Sequence, residues 1–348
     1  MRAYSLYGIN DLRLEEVERP KCQKGEVLVE VKAVGICGSD IPRIFKTGTY
    51  SYPLIPGHEF SGIVVETGAE TDDNWLGKRV AIFPLLPCGN CVPCKSGQYE
   101  MCRSYGYLGS RANGGFAEYV AVPVWNLIEL PENVSYEVAA MLEPMAVAVH
   151  AMRSIKPEKD DAVAVCGLGT IGLLLTMFLK EAGIDNLFVI GNKEFQKRNI
   201  LDLGIPEERY FEGSKKDTAS RIMEQTGNLG VDVFFECVGK NETVREAICL
   251  TAPGGRIQLV GNPASDMNFD RNTYWKILRN QLTVKGTWNS SLLHDDTDDW
   301  YYVLKRLQEG KIRPERYITQ RFCLDELEKG LHIMRDKTEE YVKVMIVS

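Results

Sequence analysis

The pattern of hydrophobic and polar positions changes character near residue 135. Before that point, short alternating runs rich in β-branched residues are separated by glycine and proline, which predicts strands at residues 27–34, 62–66 and 79–83. After it, apolar residues recur at helical spacing behind Ser135, a residue type favoured at helix N-termini. This pattern predicts a helix over residues 136–152. The first part of the chain is therefore expected to be β-rich.

Strand-like and helix-like runs alternate from residue 162 onwards. The predicted strands cover residues 162–166, 186–190, 231–236, 255–260 and 282–285, and the predicted helices cover 170–182, a segment ending at Asp202, 242–250 and 274–279. Strands that alternate with helices form βαβ units and a parallel sheet. The predicted fold class is thus α/β, with a β-rich domain over residues 1–150, a doubly wound parallel-sheet domain over 151–285, and a return to the first domain over 286–348.

Composition and charge exclude several classes of function. The chain has 348 residues, more than one hydrophobic core usually serves, and its formal net charge of −7 disfavours nucleic acid as a ligand. The charged N-terminus has no apolar run and hence no secretory signal, so we expect a cytoplasmic protein. The uncharged stretch 162–179 is about long enough to span a membrane, but glycines at its centre favour a strand that turns into a helix. The acidic run 295–299 favours a solvated turn and helix start over a Ca²⁺ loop.

Four cysteines lie close together in the first domain, at Cys88, Cys91, Cys94 and Cys102. The gaps are short enough for one loop, about residues 88–102, to fold all four sulfurs around one ion. Zn²⁺ binds four thiolates tetrahedrally, and such a closed set leaves no position for substrate. The cluster therefore predicts a structural zinc site. Two disulfides are the alternative, which a cytosolic chain with ten cysteines in no secreted-scaffold pattern disfavours.

A glycine-rich turn follows the strand predicted at residues 162–166. Gly167, Gly169 and Gly172 form a G-x-G-x-x-G pattern that leads through Thr170 and Ile171 into the next helix. In this strand–turn–helix context the pattern is typical of dinucleotide binding, because glycine permits a tight turn and a close approach of the pyrophosphate to the helix N-terminus. A glycine-rich turn without a ligand is the alternative. Further candidate cofactor contacts, which follow later predicted strands, are Val238, Val260 and Gly261.

The end of the next strand indicates which cofactor binds. An NAD site usually has Asp or Glu there to bind the ribose 2′-hydroxyl, but this chain has Gly191. A carboxylate would repel a 2′-phosphate by about 4 kcal/mol per pair of unit charges at about 4 Å and an effective dielectric constant of about 20. Asn192 and Lys193 instead offer donors, with Lys197 and Arg198 in reserve. We predict that NADP(H) is preferred and NAD(H) is possible. The alternative is that Lys193 is only an exposed lysine at a helix start.

A second group of metal-binding residue types is spread over the first domain. Cys37, His58 and Glu59 lie in turns beside predicted strands, and Glu143 lies in an apolar stretch where an unpartnered carboxylate would be costly. Three protein ligands with one free position define a catalytic zinc site. Bound Zn²⁺ lowers the pKa of water from 15.7 to about 7 and is expected to act similarly on an alcohol, which can then pass hydride to a nicotinamide. Ser39 is either a hydrogen-bond partner of the reacting oxygen or a local cap.

Together, the two metal sites, the Gly57-His58-Glu59-x-x-Gly62 motif and the G-x-G-x-x-G pattern resemble the zinc-dependent medium-chain alcohol/polyol dehydrogenases. The resemblance covers almost the whole chain and implies a GroES-like catalytic domain, a Rossmann cofactor domain and two Zn²⁺ ions per chain. In this family, the residues matching Cys37, His58 and Glu143 hold the catalytic zinc, and the residue matching Glu59 is a ligand in some members. The four clustered cysteines match the structural zinc lobe. Family members are usually dimers or tetramers, so a homo-oligomer is expected.

Several strings within the chain resemble family members that oxidise a polyol phosphate, such as galactitol 1-phosphate, to a ketose phosphate. They lie at residues 37–46, 84–88, 109–111, 114–119 and 276–279. The chain departs from the NAD-dependent member at Gly191, where that member has an acidic residue. A substrate phosphate needs donors near the zinc, and arginine suits bidentate contact. The candidate substrate residues are Arg43, Lys46, Tyr52, Arg111, Trp288 and Asn289. Surface cations and ordinary packing are the alternatives for these residues.

Two other interpretations stay open. The second interpretation, after the polyol-phosphate dehydrogenase, is an NADP-dependent dehydrogenase of an unphosphorylated polyol or secondary alcohol, such as sorbitol or butanediol. It is also compatible with a non-catalytic NADPH-binding protein of the quinone-reductase or crystallin type. Relatives of that last type lack both zinc sites, whereas all the ligands are present in this chain. We therefore predict a zinc-dependent oxidoreductase that acts on a CH–OH group of a small molecule.

Overall fold

The chain forms two compact units in the computed structural model, which describes residues 1–263 and 265–348. One unit contains Met1–Ala146 and Ser290–Ser348, and the other contains Val147–Asn289. Over the described residues, no helix combines the length and the apolar composition that crossing a membrane would need.

The first part of the chain is mostly extended. Its strands are β1 (Arg2–Gly8), β2 (Asp11–Glu16), β3 (Glu26–Ile36), β4 (Glu59–Thr67), β5 (Arg79–Ile82), β6 (Leu85–Leu86), β7 (Gly106–Tyr107), β8 (Tyr119–Pro123) and β9 (Leu127–Glu129). Its helices are α1 (Asp40–Pro42), α2 (Val92–Lys95), α3 (Tyr136–Ala140) and α4 (Leu142–Ile155). A π-helical turn, Arg43–Thr47, follows α1 directly.

Strands and helices alternate through the second unit. They are β10 (Val163–Cys166), α5 (Thr170–Glu181), β11 (Leu187–Gly191), α6 (Glu194–Asp202), β12 (Tyr210–Glu212), α7 (Thr218–Gln225), β13 (Val231–Glu236), α8 (Asn241–Leu250), β14 (Thr251–Leu259), α9 (Arg271–Arg279) and β15 (Thr283–Gly286). The C-terminal part of the first unit adds α10 (Asp299–Gln308), β16 (Ile318–Phe322), α11 (Leu327–Asp336) and β17 (Lys343–Val347).

Strand β3 is the centre of the first unit. It pairs antiparallel with β4 on one side, and with β8 and β17 at different places on the other, within a sheet of order β16-β17-β3-β4-β5-β9. Its buried apolar residues join the largest core of the unit. In the β3–β4 register Gly35 lies opposite Glu59. The residues that follow β3 and those that precede β4 therefore meet at one end of the sheet.

The second unit is built on six parallel strands in the order β12-β11-β10-β13-β14-β15. Buried residues of neighbouring strands, among them Phe188, Phe234 and Ile257, form its core. The strand order runs in opposite directions from β10, and the carboxyl ends of parallel strands at such a point form a crevice that binds ligands. The predicted doubly wound parallel sheet is confirmed.

The predicted strands and most predicted helices are confirmed, with boundaries shifted by up to four residues. The acidic run starts a helix as predicted, because Asp298 caps α10 by accepting a hydrogen bond from the Tyr301 backbone N–H at 2.7 Å, but Asp298 and Asp299 are buried rather than solvated. Sequence reasoning did not identify the β1–β2 hairpin or the short strand β12.

The single helix predicted over residues 136–152 is wrong at Met141, where the chain breaks into α3 and α4. Proline has no N–H, and in a continuous helix its ring would crowd the carbonyl four residues earlier. Pro144 would impose that conflict on Ala140, and instead it lies in the first turn of α4, where proline is tolerated. The predicted cap is confirmed, since the Ser135 hydroxyl accepts from the Val138 N–H.

Candidate functional site

The four clustered cysteines lie in one loop around α2. The Sγ atom of Cys91 is 3.4 Å from that of Cys94 and 3.9 Å from that of Cys102, and the Sγ atoms of Cys88 and Cys94 are 3.9 Å apart. Four sulfurs at about 2.3 Å from one central ion would lie about 3.8 Å from one another. No disulfide joins cysteines anywhere in the described chain. The spacing fits four thiolates on one zinc ion better than two disulfides.

A second donor group lies at the end of the sheet where β3 finishes and β4 begins. Ligand atoms of Cys37, His58 and Glu59 lie within 4.8 Å of one another, and His58 and Glu59 are buried. Cys37 follows β3, His58 precedes β4, and Glu59 is the first residue of β4. Antiparallel pairing of these two strands thus gathers residues that are far apart in the sequence.

Asp40 fixes the histidine of this group. Its fully buried carboxylate lies 3.4 Å from Nδ1 of His58, accepts a hydrogen bond from the Cys37 N–H at 3.0 Å, and pairs with Arg43 at 2.5 Å. Burial opposes both charges, yet the pKa of Asp40 is lowered and that of His58 is raised well above its usual range, because each faces the other. At this distance the contact is electrostatic, since Nδ1 of His58 has no hydrogen-bond partner within the described chain, and it favours a ring orientation that leaves Nε2 for a metal ion.

Glu59 has a buried cationic partner. Its Oε2 lies 2.5 Å from Nζ of Lys343, which comes from β17 and also donates to the Ile36 carbonyl at 3.3 Å. The carboxylate lies over Gly35, where a Cβ atom would overlap it. Glycine at that position therefore makes room for the ion pair, and the pair holds the Glu59 carboxylate beside Cys37 and His58.

Glu143 lies outside the tight donor group and is held by Tyr107. The Tyr107 hydroxyl donates to Oε1 of Glu143 at 3.0 Å, and the Tyr107 ring contacts the His58 ring edge-on at 5.8 Å between centroids. Burial, reinforced by the nearby carboxylate of Glu59, raises the pKa of Glu143 to about 7. Because its second oxygen keeps free lone pairs, Glu143 can serve as a further ligand.

The charges of the site fit a divalent cation. The Asp40–Arg43 and Glu59–Lys343 pairs are each neutral, so the half-buried Cys37 thiol and the buried Glu143 carboxyl are the groups that would lose protons to balance a divalent cation. Sulfur, imidazole nitrogen and carboxylate oxygen are all zinc ligands. The Ser39 hydroxyl donates to Sγ of Cys37 at 3.3 Å, so this predicted residue lies beside the donor group as well.

The glycine turn of the second unit joins β10 to α5. Gly167 has φ +97°, and a Cβ atom on Gly172 would overlap the Gly167 carbonyl, so both positions require glycine. Gly169 is the N-cap residue of α5, and Thr170, Ile171 and Gly172 form the first turn, whose N–H groups favour phosphate. The other three predicted cofactor contacts lie at the carboxyl edge of the same sheet: Val238 after β13, and Val260 and Gly261 after β14.

Gly191 ends β11 in a crowded place. A Cβ atom there would lie 2.8 Å from Leu168, 2.8 Å from the Tyr210 hydroxyl and 3.0 Å from Gln196. A larger residue at this position would require the ends of these three side chains to shift, so packing favours glycine here in addition to cofactor charge. The Gln196 amide oxygen accepts from the backbone N–H groups of Asn192 and Lys193 at 2.9 Å and 3.2 Å, which orders the turn.

A cavity of about 740 Å³ opens beside this turn. Four cationic side chains line it, together with four carboxylates; the cations are Lys193, Lys197, Lys215 and Arg221. Lys197 is paired with Glu207 at 2.5 Å and Lys215 with Glu212 at 2.8 Å. The Lys193 ammonium lies 5.4 Å from the centroid of the Phe195 ring and has no carboxylate partner among residues 1–263 and 265–348. Arg198 is exposed on α6 and does not line the cavity.

The candidate substrate residues have different surroundings. Arg43 is engaged by buried Asp40, whereas Lys46 is exposed at the end of the π-helical turn. Arg111 lies against two tyrosine rings, and the Tyr52 hydroxyl accepts from the Thr49 N–H at 3.1 Å. The last two, Trp288 and Asn289, follow β15 at the end of the second unit, where Trp288 is half exposed and Asn289 has φ +53°.

Sequence reasoning missed three residues of the site, Asp40, Tyr107 and Lys343. Asp40 stands three residues after Cys37, and that proximity was an available signal. Tyr107 and Lys343 give no such signal in the sequence, because they reach their partners from distant strands.

Comparison with known proteins follows the same division of the chain. Residues 23–132 match the alcohol dehydrogenase GroES-like domain family, and residues 170–309 match the zinc-binding dehydrogenase family. The predicted GroES-like fold of the first unit is thereby confirmed. The two matched segments contain all the predicted zinc ligands except Glu143.

Individual relatives cover most of the chain. It is 34% identical to galactitol 1-phosphate 5-dehydrogenase from Escherichia coli (strain K12), over 85% of each chain. It is 32% identical to (R,R)-butanediol dehydrogenase from Bacillus subtilis (strain 168), over 99% of each chain. The crystal structure of galactitol-1-phosphate dehydrogenase from Escherichia coli superimposes with a TM-score of 0.92 at 30% identity, over the full length of both chains.

Fold, site and relatives define an oxidoreductase that acts on CH–OH groups of alcohols or polyols. The chain belongs to the family of zinc-dependent medium-chain dehydrogenases.

Proposed function

We propose that the chain is an NADP(H)-linked dehydrogenase that interconverts a polyol phosphate resembling galactitol 1-phosphate and the corresponding ketose phosphate. The observation that carries the proposal is the donor set of half-buried Cys37 and buried His58 and Glu59 in a chain whose relatives include a galactitol 1-phosphate 5-dehydrogenase. Its free thiols suit the reducing cytoplasm, where we expect the enzyme to act.

Two zinc ions complete the proposal. Cys37, His58 and the carboxylate of either Glu59 or Glu143 would hold the catalytic ion and leave a fourth position for substrate, and the four clustered cysteines would hold the structural one. When bound, catalytic zinc makes the substrate hydroxyl more acidic. Asp40 holds the His58 ring in its ligating orientation. Ser39, whose hydroxyl lies 3.3 Å from the Cys37 sulfur, would exchange its present hydrogen bond for one to the reacting oxygen and carry the proton towards solvent.

The NADP(H) assignment rests on Gly191 and Lys193. Gly191 brings no carboxylate to repel a 2′-phosphate, and Lys193 is an uncompensated cation at the rim of the adjoining cavity. Replacing Lys193 with alanine should lower the ratio of kcat/KM for NADP⁺ to that for NAD⁺ about 10-fold, the worth of one hydrogen bond to a charged group. Arg198→Ala, outside the cavity lining, should leave the ratio unchanged. Equal ratios in Lys193→Ala and the wild type would contradict the assignment.

Substrate class is tested by comparing kcat/KM for galactitol 1-phosphate with that for galactitol and sorbitol, with NADP⁺ at saturation. A preference of about 100-fold for the phosphate, or about 2.7 kcal/mol, supports a polyol-phosphate dehydrogenase. Equal activity on the free polyols would overturn it. The second candidate, a dehydrogenase of an unphosphorylated diol, is favoured by the 32% identity to (R,R)-butanediol dehydrogenase over 99% of both chains.

A homo-oligomer is part of the proposal because one edge of the parallel sheet is uncovered. All residues of β15 are exposed, and the neighbouring helix α9 exposes Tyr274, Trp275 and Leu278. An unpaired edge strand flanked by apolar side chains is a template for a second copy of the chain. Val284→Lys should shift the mass measured by light scattering to that of a monomer. A wild-type monomer would refute this part.

A further inference from the structure

The guanidinium of Arg111 is held by two aromatic rings. Its Cζ atom lies 3.9 Å from the centroid of the Tyr50 ring and 4.5 Å from that of the Tyr105 ring. Both distances are well inside the range of about 6 Å for cation–π attraction. We call these three residues the aromatic clamp. The contacts restrain a long side chain that is otherwise exposed to solvent.

The hydrogen-bond donors of Arg111 are unused. Within residues 1–263 and 265–348, its side chain has neither a hydrogen bond nor an ion pair. A planar guanidinium that contacts ring faces keeps its five in-plane N–H groups available. Arg43 is the opposite case, since its Nη1 lies 2.5 Å from the buried carboxylate of Asp40. Arg111 can therefore offer all its donors to a ligand, whereas part of the Arg43 guanidinium is committed to a buried charge.

Main-chain hydrogen bonds tie the clamp to the candidate metal site. The backbone N–H groups of Arg111 and Ala112 donate to the Tyr107 carbonyl at 2.8 Å and 3.0 Å, and the Thr49 hydroxyl donates to the Ser110 carbonyl at 2.7 Å. The hydrogen bond from Thr49 to Ser110 joins the segment that carries Tyr50 to the segment that carries Arg111. Tyr107 itself reaches Glu143, so clamp and metal donors belong to one connected structure.

We infer that the aromatic clamp is the phosphate-binding element of the substrate site. It would take a phosphate monoester at the end of the polyol remote from the oxidised carbon. A free, pre-oriented guanidinium matches the bidentate geometry of a phosphate dianion, whereas a lysine acts only as a point charge. Tyr50 and Tyr105 are positioning residues that act through Arg111. This inference rests on the proposed polyol-phosphate activity and identifies the residue responsible for it.

The test compares Arg111→Ala with the wild type on galactitol 1-phosphate and on free galactitol. The variant should lose about 30-fold or more in kcat/KM for the phosphate, mainly through KM, and change less than about twofold on galactitol. Arg111→Lys should recover only part of the loss, because lysine restores the positive charge but not the bidentate geometry of the guanidinium. Tyr50→Leu should raise KM for the phosphate about fivefold with kcat unchanged. Arg43→Ala should weaken activity on both substrates alike, since Arg43 acts through Asp40.

Inorganic phosphate gives a second readout that does not depend on the natural substrate. Added phosphate should inhibit galactitol oxidation by the wild type and lose that effect in Arg111→Ala. Inhibition of equal strength in both proteins, or a phosphate preference that survives in Arg111→Ala, would overturn the inference. A wild type without any preference for galactitol 1-phosphate would instead overturn the proposed function, so the two failures are distinguishable.

Discussion

The two candidate metal sites differ in what surrounds their donor atoms. The four cysteines come from one short loop, and their sulfurs contact one another and groups of that same loop, among them the Cys88 N–H and the Asn90 side chain. The donors of the open site come from positions between 37 and 143, and its carboxylates are held by Lys343 and Tyr107. The cysteine cluster can therefore be completed locally by an ion, whereas the open site is ordered by the sheet and by its own hydrogen bonds.

From this difference we assign the cysteine cluster to stability and the open site to catalysis. An ion bound only by thiolates of one loop has no free position and serves to cross-link that loop. Donor side chains that are already held by other residues keep their positions when an ion binds. They therefore do not close around the ion, and one coordination position stays open for substrate. Each of the following changes acts on one of the two sites.

The largest effect is expected for His58→Ala. Loss of a buried ligand should remove one of two zinc ions per chain and lower kcat/KM by at least about 1,000-fold, or about 4 kcal/mol. The cysteine cluster should keep its ion, so elemental analysis should fall from two zinc ions to one. His332→Ala, at an exposed histidine of α11, is the matched control and should change neither value. A His58→Ala protein that retains two zinc ions and activity would refute the ligand assignment.

Lys343→Met should destabilise the chain by about 3–5 kcal/mol, because it leaves the buried Glu59 carboxylate without its cation. Urea denaturation measures the free energy of unfolding. The double variant Lys343→Met with Glu59→Gln removes both charges and should recover most of the loss. No recovery would mean that the lysine acts through packing rather than through its charge.

Cys91→Ser should affect stability more than chemistry. A cross-link that closes a loop of about 15 residues contributes about 3 kcal/mol in the chain-entropy model. For a unit of this size the loss corresponds to a fall in Tm of about 6–12 °C. The expected result is one zinc ion lost and catalytic zinc retained. Cys323→Ser, at an exposed cysteine, is the control. An unchanged Tm after loss of the ion would deny the cluster a structural role.

The sequence predicted elements well where local pattern decides them. The strands of the parallel sheet are short buried runs, and the glycine turn after β10 follows from steric demands of a few neighbouring residues. The break at Met141 was missed because apolar residues continue through it, although Pro144 carried the signal. The β1–β2 hairpin was missed as well; its second strand carries mostly exposed or half-buried polar side chains and lacks a clear hydrophobic face.

Prediction of the site had a similar limit. Cysteine and histidine spacing identified donors that β3 and β4 do bring together, since the motifs flank these strands. Spacing along the sequence cannot reveal which cationic side chains are already paired with a carboxylate. Arg43 and Arg111 looked equivalent in the sequence, yet one is paired with Asp40 and the other has free donors. That distinction depends on side-chain contacts between segments that the fold alone brings close.

The smallest effect is expected for Tyr107→Phe, which removes one hydroxyl and keeps the ring against His58. Glu143 then loses the hydrogen bond that orients its carboxylate, and loss of such an outer partner typically lowers metal affinity or activity about 10-fold or more. We expect zinc affinity at the open site, measured by competition with a chromogenic chelator, to fall about 10-fold while the cysteine cluster is unaffected. Tyr105→Phe is the matched control, because the Tyr105 hydroxyl has no hydrogen bond within the described chain. If both variants have the zinc affinity of the wild type, the Tyr107 hydroxyl does not orient Glu143 for the metal. Asp40 and Lys343 would then be the residues that order the open site.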